Sequence, residues 1–219
     1  MKERIIIIGS GRHAKVVAYN LISQGKYEIA CFVTTDKTLE TTFMGYPLIN
    51  SFINFDRSNL NCLKDKFKTN LFHIGFGDMK YRKDVYEFFV NNGWEGITII
   101  HPSAIIGPDA RIGKGVLIEA GCLITPNPII GDNVIINTGS QVNHDNIIHN
   151  HVHIASGVVA SGSIEIGENT LIDDGAIITM NQKVGSNCII GAGSVVTKDI
   201  PDGKVAYGVP CKVIRDNIY

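Results

Sequence analysis

At 219 residues the chain can form one large domain or two small ones with a core each, and 44% hydrophobic with 19% charged residues is a globular composition. A formal net charge of −1 gives no electrostatic case for nucleic acid or an anionic membrane surface as partner. Five widely spaced cysteines without a CxxC pair, Cys31, Cys62, Cys122, Cys188 and Cys211, indicate neither a disulfide framework nor a zinc site.

Residues 1–8 (MKERIIII) lack the small-residue cleavage site of a signal peptide, and no apolar run is long enough to span a bilayer, so a cytoplasmic protein is expected. Residues 4–8 read as a strand, Gly9-Ser10-Gly11-Arg12-His13-Ala14 as a glycine turn, and Val16, Val17, Leu21 and Ile22 as one face of a helix. Apolar runs at Ile29 to Val33 and Asn70 to Ile74 follow. The alternation predicts an α/β domain with a Rossmann-like parallel sheet over residues 1–100. Alone, the glycine turn is a weak dinucleotide signal. A nicotinamide-binding domain would place an acidic residue at the end of the second strand, where this chain has Thr34 and Thr35, with Asp36 one position late.

Beyond His101-Pro102, residues 101–219 follow a different rule. From Ile106 to Val196 every sixth residue is Ile, Val or Ala, sixteen hexads in one register. This period matches neither a helix nor a simple strand alternation, and predicts a solenoid of short strands and tight turns. Gly107, Gly113, Gly131, Gly167, Gly185 and Gly191 directly follow the aliphatic position, and the expectation is that they supply the corner backbone angles.

The fifth hexad position is usually small, but Pro128, Asn146, Ile164, Gln182 and Ile200 depart from that rule, one in every third hexad. With three sides per coil they share one face with Ala160, the only unbranched first position, and with His144 and Gly162. Packing against a neighbouring subunit would also mark out a face. Chemistry is the alternative: histidine titrates near neutrality and suits a general base, and the adjacent Asp145 can orient it if a corner or bulge brings the two together. Gly162, one coil after His144, offers either an unhindered N–H for a developing oxyanion or a glycine demanded by geometry. The cluster His149-x-His151-x-His153 invites a metal reading, but a corner interrupts simple alternation and no acidic or thiol ligand accompanies it, so no metal is expected.

The repeats, the Asn143-His144-Asp145 segment and the tail Gly208-Val209-Pro210-Cys211-Lys212 resemble the hexapeptide-repeat acyltransferases. The resemblance implies an all-β left-handed parallel β-helix, a homotrimer, acetyl-CoA as co-substrate and His144 as base supported by Asp145. It also places Gly162, His153, Gly191, Gly193, Lys198, Gly208, Pro210 and Lys212 near the oxyanion or CoA, although each lysine taken alone reads as a solvated charge. The amino-terminal segments from Gly9 to Val17 and from His73 to Arg82 resemble the sialic-acid O-acetyltransferase-like branch. That branch includes bacterial N-acetyltransferases of nucleotide-linked 4-amino-sugars. Arg12 stands where Gly is usual, Thr34-Thr35 replaces an acidic pair, and Cys211 stands where Ala is usual. Ser10, Gly11, His13, Asp36, Gly77, Asp78, Arg82 and Asn137 are the acceptor-binding residues the resemblance implies. The expected activity is N-acetylation of a nucleotide-linked amino-sugar for surface-glycan synthesis. O-acetylation of sialic acid and a non-catalytic nucleotide-sugar-binding scaffold stand as alternatives.

Overall fold

The structure, a computed structural model, describes residues 2–34, 36, 38–50 and 57–218; Thr35 lies outside the described residues. The chain divides into two compact units, Met1–Ile99 and Ile100–Tyr219. Among the described residues no helix is long and apolar enough to cross a membrane.

The first unit runs β1 (Glu3–Ile8), α1 (Arg12–Gln24), β2 (Tyr27–Thr34), β3 (Thr42–Phe43), β4 (Tyr46–Asn50), α2 (Arg57–Phe67), β5 (Leu71–Ile74), α3 (Met79–Asn91) and β6 (Glu95–Gly96). Its sheet has the order β3-β4-β2-β1-β5-β6, parallel throughout except for the β3–β4 pair. The run Ile5 to Ile8 is 0–2% exposed, as expected of a central parallel strand covered on both faces. From β1 the chain moves to β2 on one side and later to β5 on the other. The Gly9–Gly11 and Gly75–Gly77 turns therefore sit at the carboxyl ends of β1 and β5, the switch point where open parallel sheets bind ligands. On α3 the buried stripe is Arg82, Val85, Tyr86 and Phe89, and Phe89 stacks on Phe72 of β5 at 4.7 Å between centroids.

The second unit is a parallel β-helix. Sixteen two-residue strands, from Ile105–Ile106 to Val195–Val196, recur once per hexad, and each pairs with the strand three hexads along. On the first side Ile135 faces His153, on the second Leu123 faces Gln141, and on the third Ile129 faces Ile147. The first hexad position points inward and is almost wholly buried from Ile118 onward, each branched side chain stabilising the core by about 1.5–3 kcal/mol. Fifth positions fill the remaining space. Where they are polar they are satisfied: Ser140 Oγ donates to Ala155 O at 2.6 Å and Thr170 Oγ1 to Gly185 O at 2.7 Å. The sequence reading missed Ile100, one hexad before Ile106, which packs against this core.

One expectation changes. The glycines that follow the aliphatic position do not have left-handed backbones; those belong to the fourth position, where Asn127, Asn133, Asp145, Ser163 and their non-glycine equivalents have φ of 53–65°. Gly107 and its equivalents are required by crowding. A Cβ on Gly107 would meet Thr125 C at 2.8 Å, and one on Gly131 would meet Asn150 N at 2.8 Å, because the next coil's backbone lies against them.

Candidate active site

The corner after strand Gln141–Val142 carries Asn143, His144, Asp145 and Asn146. Asp145 adopts φ 59°, a conformation Asp tolerates better than most residues, and this turns its carboxylate back toward its neighbour. His144 Nδ1 and Asp145 Oδ2 are 2.9 Å apart. A carboxylate oxygen can only accept, so in the neutral ring Nδ1 carries the proton and Nε2 keeps its lone pair, the form a general base needs. The hydrogen bond from His144, followed by one from Asn127, holds the Asp145 carboxyl below its usual range.

Gly162 lies one coil beyond. A Cβ there would stand 2.5 Å from His144 Cε1, so glycine is what lets the imidazole lie over this backbone. Its φ is not left-handed; close approach is the reason for glycine here. Met180 and Lys198 continue the column from His144 and Gly162, each one coil further on, and both are exposed. At about 4.8 Å per coil, Lys198 stands roughly 14 Å along the corner from His144.

The inward-pointing Asn146 is fully buried. Its Nδ2 donates to Ala160 O at 3.2 Å and its Oδ1 accepts from Ile164 N–H at 3.0 Å. Asn146 thus ties the His144 corner to the following coil.

The other expected residues gather elsewhere. Asn137, Gly191 and Gly193 lie on the corner after the first side. Asn137 Oδ1 accepts from Thr138 N–H at 2.7 Å, and the Thr138 hydroxyl donates at 2.8 Å to buried Glu119, whose carboxyl is pushed up by burial. A Cβ on Gly191 would meet Tyr207 Cβ at 2.9 Å. The tail docks beside this corner: Gly208 N–H donates to Ser194 Oγ at 3.0 Å and Cys211 N–H to Val195 O at 2.8 Å, with Pro210 between and Lys212 opening the last strand. His153 is on the first side, across the coil from His144's corner. His149 and His151 have separate partners, Glu165 Oε1 at 3.0 Å and Asn133 Nδ2 at 2.9 Å, so the histidine cluster does not converge.

In the first unit Ser10 and Gly11 form the turn into α1, and Gly77 leads to Asp78, whose side chain caps α3 by accepting from Lys80 N–H at 2.9 Å. Asp36 is exposed and its N–H donates to Thr34 Oγ1 at 3.1 Å. Beneath the turns, burial pushes His73 down to about 4, against its Nδ1 hydrogen bond to Ile97 O. Burial and the Arg82 charge push His13 down to about 4. Arg82 is 1% exposed and burial lowers it to about 9, so at neutral pH it carries the positive charge of this group while both imidazoles are neutral.

No curated protein sequence matches the chain. The PglD N-terminal domain family matches residues 4–89, and the bacterial transferase hexapeptide family (six repeats) matches residues 163–198. A point mutant of perosamine N-acetyltransferase from Caulobacter crescentus, solved with CoA and GDP-perosamine, is 32% identical, with 97% of each chain covered and a TM-score of 0.88. The chain belongs to the bacterial hexapeptide acyltransferases with a PglD-type amino-terminal domain. The acetyltransferase domain of PglB from Neisseria gonorrhoeae, in complex with acetyl coenzyme A, is 31% identical over 98% of this chain and 100% of that one, with a TM-score of 0.85. WeeI from Acinetobacter baumannii, 23% identical over 97% of this chain and 100% of that one, shares the fold at a TM-score of 0.74.

This hexapeptide acyltransferase therefore has the expected fold class, a Rossmann-like domain followed by a left-handed parallel β-helix. One of its residues, Asn127, was not singled out by sequence although a signal existed. Asn127 stands three hexads before Asp145, the spacing that stacks coils. Arg82 falls on the helical stripe of Val85, Tyr86 and Phe89, which marks it as buried.

Proposed function

We propose that the protein transfers the acetyl group of acetyl-CoA to the amino group of a nucleotide-linked amino-sugar, of the 4-amino-4,6-dideoxy type, in bacterial surface-glycan synthesis. The observation that carries this reading is the His144–Asp145 pair, with Nε2 free to accept a proton and the ring lying over Gly162. The sugar amine attacks the thioester carbonyl, a C–N bond forms, and the C–S bond breaks with release of the CoA thiol. His144 takes the amine proton, Asp145 orients the ring and the Gly162 N–H bonds the developing oxyanion. Relatives solved with CoA, GDP-perosamine or acetyl coenzyme A support the choice of both substrates.

In this reading Ser10, Gly11, His13, Asp36, Gly77, Asp78, Arg82 and Asn137 serve the acceptor, while the CoA set of His153, Gly191, Gly193, Lys198, Gly208, Pro210 and Lys212 serves the donor. His144 and His153 lie across the coil from one another, so a donor site using both needs two chains, in keeping with a cytoplasmic homotrimer whose sites lie between subunits. The test is thiol release from acetyl-CoA against a panel of nucleotide-linked amino-sugars, their 4-hydroxy counterparts and free sialic acid. Turnover with an amino-sugar nucleotide is expected; turnover with sialic acid alone would move the assignment to O-acetylation, and none with any acceptor would leave the scaffold.

A further inference from the structure

We infer that Asn127 is a positioning residue which, through the Asp145 carboxylate, fixes the orientation of the His144 imidazole. The inference rests on the reading of His144 as the base. Asn127 Nδ2 donates to Asp145 Oδ1 at 2.7 Å, while the other carboxylate oxygen, Oδ2, holds His144 Nδ1 at 2.9 Å. The side chains of His144 and Asp145 are 51% and 52% exposed. At that exposure water competes for each group, and a carboxylate held by one hydrogen bond can rotate about its Cβ–Cγ bond. A second bond to its other oxygen fixes the carboxylate plane, and with it the ring that the plane orients.

The donor is itself well anchored. Asn127 has φ 65°, its N–H donates to Pro108 O at 3.0 Å, and Asp145 N–H donates to Pro126 O at 3.3 Å, so consecutive coils hold the two corners in register. The three groups form a line across two coils, Asn127 to Asp145 to His144, ending at the nitrogen that takes the proton. A similar amide ladder, Asn169 Nδ2 to Asn187 Oδ1 at 2.9 Å, occurs on another corner, in the column of Asn133 and His151 and away from the His144 site. A stacking role for Asn127 is therefore the rival, and the experiment separates the two.

Asn127→Gly removes the amide and keeps a residue at ease with positive φ, and Asp145→Gly does the same for the carboxylate. kcat and both KM values are measured for the wild type, each single variant and the double variant, with His144→Ala as control. Asn127→Gly should lower kcat about fivefold, the scale of one net hydrogen bond, with both KM values unchanged. In the Asp145→Gly background the same change should have no effect on kcat. The ¹⁵N signals of the His144 ring should show one dominant tautomer in the wild type and averaging in Asn127→Gly. An equal loss in both backgrounds, or a variant with wild-type kcat and ring signals, overturns the inference. Retained activity in His144→Ala would instead sink the base assignment, while the ring signals would still decide whether Asn127 orients the imidazole.

Discussion

His144 stands on an exposed corner, outside the aliphatic column that holds the coils together, so its loss should change chemistry and spare folding. General-base catalysis contributes about 10² to 10⁴ in rate, and His144→Ala should lower kcat by that order with acetyl-CoA affinity nearly unchanged. Asp145→Asn should lower it less, since the base remains. A mutant keeping more than about a third of wild-type kcat would pass the role to another group, His153 being the next to test. The sign for Asp145 is that of a depressed carboxyl: it is ionised, and able to accept from His144, at every pH above its ordinary 3.8, and that support is lost only as pH falls below. The sequence pointed to His144 partly for a reason of another kind. Asn146 and Ala160 distinguished the face, and Asn146 serves it structurally, by a buried hydrogen bond to the backbone carbonyl of residue 160. What one dimension hid was the contact across coils. Asn127 and Asp145 occupy the same hexad position, and only the fold turns a separation of three hexads into 2.7 Å.

Among the elements, the repeat was the most legible, because inward first positions are set by a single rule repeated sixteen times. The role of its glycines was not, since crowding by the following coil leaves no trace in local sequence. The α/β unit was legible as strand, turn and helix, but its buried His73 and Arg82 were not legible as a charge balance. That balance has a measurable result. His73 is fully buried and lowered from 6.5 to about 4, so between those values it is neutral in the native state while the unfolded chain is protonated. Above pH 6.5 neither state binds the proton; between 6.5 and about 4 only the unfolded state does. His73 should therefore lower the stability of this unit by about 1.4 kcal/mol for each pH unit of acidification across that window, and His13, also lowered to about 4, adds to the slope. Trp94, the only tryptophan, is buried against Phe89 in this unit at 5.4 Å, and its fluorescence reports the transition selectively. Denaturation midpoints should drop from pH 6.5 to 4 in the wild type and drop less in His73→Gln. A flat profile in the wild type would mean that His73 is not held neutral.

For the molecule as a whole, the separation of His144 from His153 across one coil predicts that turnover and assembly go together. Light scattering should return three times the chain mass of 23.9 kDa. A monomer with full kcat would remove the intersubunit site. The stacking register carries a consequence for how such chains can change in length. Because the core asks only for an aliphatic residue every six positions, losing or gaining one hexad leaves every inward position filled. It would, however, turn all that follows by one third of a revolution. A hexad lost between His144 and Gly162 would keep the core aliphatic and move Gly162, Lys198 and the tail to a different side from the imidazole. Losing or gaining three hexads together would restore each side and change only the distance along the corner. Viable length variation in this half of the protein should come in whole coils, and variation by single hexads should leave proteins that fold and do not turn over.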